Sequence, residues 1–472
     1  MTLPVGCFFA PRSFLHLGIL YIASSLRKAG HDVKVFDCHA LTEWDAKNQK
    51  LIIHKEKLEE CDVVGISATT ANCEWGKMLA KAWPAKYKVL GGTHATYILD
   101  GPHERFKKPH YFENFDYIMT QECEESFVSF CDAVDKGIEP RNKLLPAIPS
   151  LHWFFGDKHC QTEKGPQPDV TKLPIPAFDL WPGGFGGGGL SVVSNTAGVI
   201  NLNEAMTASL FNVRGCPFGC NFCADRRTKI REETYEQVEA QCKMLAELGV
   251  TCIRIQDDVL TIKAAHCRRV SDILHSYGMK WRGNTRVNLT DPTLFKYMEQ
   301  HGCIELGFGC EHGSDMMLKL MGKGTVAAKN TEGIKMCQEA GMVAKAFLMI
   351  GFPGETWETV REMERWVLAA KPNMVAVCLF QPFPGSDVWN HPENYGVTLP
   401  ENAFDRFWQQ GLDDDPRALV LDLPSMTKAE LIAARKEFGE FIDTNVGHRD
   451  RTRVDAGTPG LGTFGSSSMD AV

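Results

Sequence analysis

The chain has 472 residues, a formal net charge of −8, 44% hydrophobic and 23% charged residues, and 17 cysteines. At roughly 150 residues per domain this length gives about three domains, enough to bury a core without disulfide staples. The negative charge excludes recruitment to nucleic acid or anionic membrane by bulk electrostatics.

Met1–Phe9 lacks a basic stretch leading into a long apolar one, and no apolar run is long enough to cross a bilayer. The expected setting is therefore cytoplasmic and reducing, where clustered cysteines serve as metal ligands or redox groups. Residues 1–135 alternate apolar runs with amphipathic stretches. Leu17–Ala29 reads as a helix with Leu17, Leu20, Tyr21, Ser24 and Leu26 near one face and Gly30 as its stop. Val33–Phe36, Asp62–Ser67, Lys88–Leu90 and Tyr117–Met119 read as strands. Strands alternating with helices imply a parallel sheet covered on both faces, a Rossmann-like domain. Its ligand segments follow the strand ends, at Ala68–Asn72, Gly91–Thr96 and Gln121–Glu125.

Residues 136–208 read as a linker, with the proline-rich stretch Leu173–Pro182 and the glycine run Gly183–Gly189. From 209 to 385 the alternation resumes. Strands are expected at Ser209–Val213, Cys252–Gln256, Lys280–Arg282, Glu305–Phe308, Ala346–Ile350 and Met374–Leu379, with helices between them. Six such units imply a partial (β/α)6 barrel whose chemistry lies at the carboxyl ends of the strands. Residues 386–445 form a small, mainly helical C-terminal segment. There Thr427-Lys-Ala-Glu430 has the spacing of a capping box opening a helix to about Asp443. Residues 446–472, rich in Gly, Ser, Asp and Arg, are expected to be a disordered tail.

Three cysteines stand apart: Cys216, Cys220 and Cys223, spaced C-x3-C-x2-C directly after the first strand of the second α/β region. Iron–sulfur cubanes are held by thiolates, normally four. Three leave one iron with an open position, which means chemistry at the metal. A structural zinc site would want a fourth Cys or His beside them. The basic run Arg226-Arg-Thr-Lys-Ile-Arg231 reads as a solvated helix start.

The C-x3-C-x-aromatic-C pattern, with Phe222 as the aromatic, resembles that of the radical S-adenosylmethionine superfamily over roughly residues 209–385. The resemblance implies a [4Fe–4S] cluster on Cys216, Cys220 and Cys223. Its unique iron chelates S-adenosylmethionine and, with one electron, yields a 5′-deoxyadenosyl radical. Further pieces follow in family order. Asp257-Asp258 resembles the acidic end of strand two that holds the ligand's amino group, and Arg286 the strand-three base that pairs with its carboxylate. Glu311 resembles the strand-four contact to ribose and amino acid, and Gly351 the strand-five adenine platform. Cys310 stands where the family more often has an aliphatic residue.

Residues 1–135 resemble a cobalamin (B12)-binding domain. The matching pieces imply cobalamin contacts at Leu17, Gly18, Ser67, Thr69, Thr70, Gly91, Gly92, His94 and Glu122. Small residues there let backbone approach a corrin closely. Asp37-Cys-His39-Ala-Leu-Thr42 lacks the glycine of the cobalt-ligating Asp-x-His-x-x-Gly motif and reads as a surface loop. His94 reads as a loop hydrogen-bonding residue, so no histidine is expected on cobalt.

Together these imply a cobalamin-dependent radical enzyme methylating an unactivated carbon. The alternatives are a radical rearrangement, cyclisation or oxidation, or a vestigial cobalamin domain. A non-catalytic corrinoid carrier would not need the three cysteines. The implied partners are a small-molecule or peptide substrate and a reductase or flavodoxin-type electron donor, with no membrane and no nucleic acid.

Overall fold

The computed structural model describes residues 2–5, 16–45, 50–138, 148–182, 184–185, 192–195, 198–201, 205–404 and 419–446. Most of the glycine run and the segment 447–472 therefore lie outside the described residues. Two compact units divide the chain, one over 1–184 and one over 185–466.

The first unit is built on a seven-stranded sheet. From one edge its strands are Lys34–Asp37, Thr2–Val5, Cys61–Ser67, Ala85–Gly91, Tyr117–Met119, Leu151–Phe155 and Lys158–Gln161. The first five run parallel and the last two antiparallel. Helices Leu17–Lys28, Cys73–Ala82, Thr93–Leu99 and Glu124–Asp135 complete the βα alternation. Helix Leu17–Lys28 buries the expected stripe, Leu17, Leu20, Tyr21, Ser24 and Leu26, with Ile19 and Ala23 beside it. Arg27 and Lys28 occupy its last turn, where cations complement the helix dipole.

Two expectations change here. Part of the 136–208 linker is sheet: its hairpin, residues 151–161, extends the parallel core, with Ile118 opposite His152. Further on, the Ala177 N–H donates to the Leu20 carbonyl at 3.1 Å. Arg27 grips Asp179 through two hydrogen bonds of 2.6 and 3.1 Å. The segment to Trp181 thus belongs to the first unit. Its strands carry mostly aromatic and polar side chains without clean alternation, so pattern alone hid them. Residues Cys38–Leu41, expected as a loop, form a single helical turn, with Cys38 and Leu41 buried.

The second unit carries six parallel strands paired in chain order: Thr207–Leu210, Cys252–Ile255, Lys280–Thr285, Cys303–Glu311, Val343–Ile350 and Met374–Leu379. Helices Tyr235–Glu247, Ala264–Ser276, Pro292–Gln300, Asp315–Leu320, Ala327–Glu339 and Trp357–Ala370 lie between them, as the alternation implied. Three open on capping boxes, at Thr234/Gln237, Thr356/Thr359 and Thr427/Glu430. Another opens on Asp291 with Pro292 behind it, whose missing N–H costs nothing in the first turn. Trp281, Phe295, Phe308 and Phe352 are fully buried in the core. The C-terminal helix Lys428–Asn445 buries Leu431, Phe438 and Ile442 and packs on the fifth and sixth strands. The basic run is not a helix start. Arg231–Glu232 pairs antiparallel with Val213–Arg214, and Arg226 bridges to Asp387 at 2.6 Å.

One buried network ties the ends of the fourth and fifth strands. His312 Nδ1 accepts from the Ser314 N–H at 3.0 Å, so the ring proton sits on Nε2 and points at Glu355 Oε1, 3.2 Å away. Glu355 also accepts from the Gly351 N–H at 3.0 Å and from the Thr359 hydroxyl. Both side chains are 0% exposed. Removing the carboxylate would leave buried donors without an acceptor. Glu355→Ala should therefore destabilise the second unit by about 3–5 kcal/mol and Glu355→Gln by clearly less. Denaturant titration of the two variants against wild type checks this.

Candidate functional site

The cysteine loop has no regular structure of its own and is held from several sides. Asp257 Oδ1 accepts from the N–H groups of Asn212 and Val213 at 2.9 and 3.0 Å, and Oδ2 from the Asn212 side chain at 2.6 Å. Asn212 is fixed in turn by His266 at 2.7 Å. Gly215 follows at φ +100°, and a Cβ there would lie 2.4 Å from the Lys229 carbonyl oxygen. That turn needs glycine. The Cys216 N–H donates to Thr228 Oγ1 at 2.7 Å, and the Thr228 and Arg227 N–H groups donate to the Cys216 and Phe218 carbonyls at 2.8 Å. Asn221 anchors the loop to the Leu320 and Met321 carbonyls at 2.9 and 2.8 Å.

All three cysteines open on one cavity of about 420 Å³ at the carboxyl ends of the barrel strands. Asp258 enters from the second strand end, Arg286 from the third, Glu311 from the fourth, Phe347 from the fifth and Cys378 from the sixth. Among the described residues, no three His, Cys, Asp or Glu side chains converge on a single-ion geometry. The thiols instead share this larger volume.

Of the expected S-adenosylmethionine contacts, Phe222, Asp258, Arg286 and Glu311 line the cavity. Asp257 and Gly351 do not. Asp257 is 1% exposed and spends its oxygens on the loop, with burial pushing its carboxyl up to about 8. Gly351 lies at φ +91° after the fifth strand, where a Cβ would meet Leu431 at 3.4 Å. Asp258 faces the cavity while enclosed by protein mass. Burial, with Asp225 close by, raises its carboxyl to about 7. Burial raises the Cys216 thiol, and the Cys223 thiol to about 12.

Arg286 is 6% exposed. Its Nη1 donates to Cys220 Sγ at 3.0 Å, its Nη2 to the Lys323 carbonyl, and its guanidinium lies 4.0 Å from the Phe218 ring centre. Glu311 sits at φ +64° beside a bulge in the pairing of the fourth and fifth strands. It binds Lys323 Nζ at 2.8 Å. A Cβ on Gly309 would approach Glu311 Oε1 to 2.5 Å and Lys323 Nζ to 2.7 Å, so this glycine makes room for the pair.

Among the cavity residues that sequence reasoning did not single out are Asp225, Lys323 and Cys378. Asp225 follows Cys223 by two positions, and Lys323 lies between Gly322 and Gly324. Both signals were readable. Nothing local marks Cys378. Cys310, in contrast, is buried outside the cavity, and burial raises its thiol far above the ordinary range.

In the first unit, Gly18, Ser67 and Thr69 are exposed, and Gly91, Gly92 and Glu122 half-buried, at the ends of strands or the start of a helix. Gly92 permits a close turn: a Cβ there would lie 2.5 Å from the Ala68 carbonyl oxygen. Leu17, at 2% exposure, is core. Thr70 is buried and meets His94 Nδ1 at 3.3 Å. His94 lies in a helix, not a loop, and is 2% exposed with its ring tilted over Phe112.

An open parallel barrel with three thiols at its carboxyl edge, in a chain that also carries a Rossmann-like α/β unit, defines a metal-cluster enzyme with a second, nucleotide-like binding fold. Residues 213–367 match the model of the radical SAM superfamily, and residues 12–130 that of the B12 binding domain. The chain is 27% identical over 430 residues to an uncharacterized methyltransferase of Pyrococcus horikoshii, covering 88% of this chain and 84% of that protein. It is 26% identical over 388 residues to the anaerobic magnesium-protoporphyrin IX monomethyl ester cyclase of Cereibacter sphaeroides, covering 78% and 58% respectively. The fold resembles that of the radical S-adenosylmethionine methyltransferase TsrM of Kitasatospora setae, solved with cobalamin and a [4Fe–4S] cluster. The TM-score is 0.63 at 15% identity, over 82% of this chain and 76% of that one. The chain thus carries a radical SAM superfamily domain and, N-terminal to it, a B12-binding domain.

Its cofactors are accordingly a [4Fe–4S] cluster, S-adenosylmethionine and cobalamin. The residues present fit them. Three soft thiols share one cavity, with a guanidinium on one sulfur and further charged groups around it. The exposed edge Gly18, Ser67 and Thr69 offers little side-chain bulk to a flat ligand. Among the described residues no helix is long and apolar enough to cross a membrane.

Burial, and then nearby Lys77, lowers the His94 imidazole to about 3. The folded first unit therefore holds it neutral where the unfolded chain, titrating near 6.5, takes up a proton. Its contribution is fully present above pH 6.5 and is lost as pH falls toward 3. Between pH 7 and pH 5 the stability advantage of wild type over His94→Gln should shrink by about 2 kcal/mol. Denaturation at the two pH values reads this directly.

Proposed function

We propose that this enzyme methylates an unactivated carbon of a small-molecule or peptide substrate, using all three cofactors. What carries the reading is one cavity that joins Cys216, Cys220 and Cys223 to acidic and basic groups suited to an amino-acid head group, in a chain that also has a B12-binding domain. When bound, the cluster supplies an electron, S-adenosylmethionine a methyl group and a hydrogen-abstracting fragment, and cobalamin a carrier for that methyl.

The chain's own residues bind, orient and exclude water. Cys216, Cys220 and Cys223 would hold the cluster, and Arg286 would steady it through the Cys220 sulfur. Asp258, open to the cavity, accepts hydrogen bonds from an ammonium, and Glu311 suits ribose hydroxyls or that same ammonium. Phe222 and Phe347 supply apolar wall, which keeps water from reactive species. Asp257 acts through the Asn212–Val213 backbone and is a positioning residue. In the first unit, Gly18, Ser67, Thr69, Gly91, Gly92 and Glu122 would border the cobalamin, with no histidine on cobalt. Radical SAM enzymes need an electron donor. A flavodoxin-type reductase in a reducing cytoplasm is the donor and setting we propose.

A second reading, a radical cyclisation or oxidation, is favoured by the similarity to the cyclase. Product analysis separates the two. Anaerobic reconstitution with iron, sulfide, cobalamin and S-adenosylmethionine should yield 5′-deoxyadenosine, S-adenosylhomocysteine and methylated cobalamin under strong reduction. The triple variant C216A/C220A/C223A should lose 5′-deoxyadenosine to background while still retaining cobalamin. Wild type that makes no 5′-deoxyadenosine sinks the radical reading. Bound cobalamin that never becomes methylated leaves the cyclase-like reading standing.

A further inference from the structure

We propose that the outer face of the cluster loop is where the electron donor lands, and that Arg227 and Lys229 hold there an acidic one-electron carrier protein. This rests on the reading that Cys216, Cys220 and Cys223 hold a cluster that is reduced from outside.

The basic run 226–231 divides in the folded chain. Arg226 is spent on Asp387 at 2.6 Å, and Arg231 belongs to the short strand pair with Val213–Arg214. Arg227 and Lys229 are exposed. Neither has an acidic partner among the described residues, and neither lines the cavity.

Arg227 is held in an unusual way. Its backbone sits at φ +54°, in the left-handed region that residues other than glycine rarely adopt. Its N–H donates to the Phe218 carbonyl at 2.8 Å. Its guanidinium lies against the backbone of Gly219, directly before Cys220. A Cβ on Gly219 would come within 2.8 Å of Arg227 Nε and 3.2 Å of Nη2. Strained backbone therefore keeps an unpaired cation on the outside of the loop. Thr228, between the two cations, is tied to the loop by the Cys216 N–H at 2.7 Å. Lys319, also exposed, precedes the Leu320 carbonyl that anchors Asn221 and adds a third cation at the loop's edge.

The two sides of the loop meet different demands. The inner side opens on the cavity, where a ligand must make contact with the metal. An electron is the one reactant that needs no place in the cavity, so the outer side can serve it. The chain's net charge is −8. An acidic donor is therefore repelled by the molecule as a whole and drawn to a local excess of positive charge. Such steering raises association rates by about 10–10³-fold and weakens with salt. With a flavin carrier, one electron leaves the hydroquinone anion, giving the neutral semiquinone, and enters the oxidised cluster. No proton moves and no bond forms or breaks.

The test uses the reconstituted full chain, stopped-flow absorbance of the cluster and two reductants. One is an acidic flavodoxin as its hydroquinone. The other is photoreduced 5-deazariboflavin, which is small and uncharged. For wild type, the second-order rate constant with flavodoxin should fall roughly tenfold or more as ionic strength rises from about 0.02 to about 0.3 M. At low salt R227E/K229E should lose roughly tenfold or more of that rate, with the 5-deazariboflavin rate, iron content and EPR signal within about twofold of wild type. Lys229→Glu alone, which leaves Arg227 on the loop, should fall between, and R227K/K229R should behave as wild type. Where R227E/K229E loses iron, K229E/K319E carries the test with the same expected loss. Wild type that flavodoxin does not reduce, or reduces without salt dependence, overturns the docking assignment. So does a charge-reversed variant that keeps the wild-type rate. Equal losses with both reductants overturn it as well, since the cations would then serve the cluster itself. Wild type that neither reductant bleaches overturns the cluster reading and this assignment with it.

Discussion

A loop with no repeating backbone hydrogen bonds must be held by something else, and here it is held by the Asp257 carboxylate. Three donors from Asn212 and Val213 converge on it, just before the turn at Gly215 that releases Cys216 into the cavity. Backbone amides in such a loop would otherwise be buried without partners. Thr228 and Asn221 hold the same loop from two further directions. The three thiols therefore share a cavity because side chains from distant parts of the barrel satisfy the loop's backbone. Acceptors there do more than any local propensity of the cysteine segment.

The neighbouring acids show how one environment splits two identical side chains. Asp257 and Asp258 are adjacent, yet the first is consumed by structure and the second opens on the cavity. Burial raises both carboxyls. Only Asp258, next to Asp225, can change its hydrogen bonding when a ligand arrives. The Arg286 guanidinium's planar fork suits a sulfur, a carbonyl and an aromatic face at once, and the Lys323 ammonium pairs with Glu311 at 2.8 Å. The buried His312–Glu355 network keeps the ends of strands four and five in place behind them.

Much of this was legible in advance where the signal is local. Strand and helix positions in the barrel followed from the alternation of apolar runs with amphipathic stretches, because each helix buries its own stripe. The cysteine spacing announced the cluster loop. The hairpin at 151–161 was not legible, because its side chains do not alternate cleanly and its stability comes from pairing with an edge strand already in place. Nor was the turn at Cys38–Leu41, where four residues are too few for any periodic signal.

The sequence by itself determined the class of chemistry. Three cysteines at that spacing, after the first strand of a βα series, have few uses, and small residues after the strands of a second βα series point to a large flat ligand. Only the tertiary structure decided which neighbours of those motifs face a ligand. At a strand's carboxyl end the chain leaves the pleat, so alternation no longer says which way a side chain points. Asp257 turned toward the loop and His94 into the core, and Gly351 lies outside the cavity. Lys323 and Cys378, far from the cysteines in sequence, came to the cavity because six strand ends meet there.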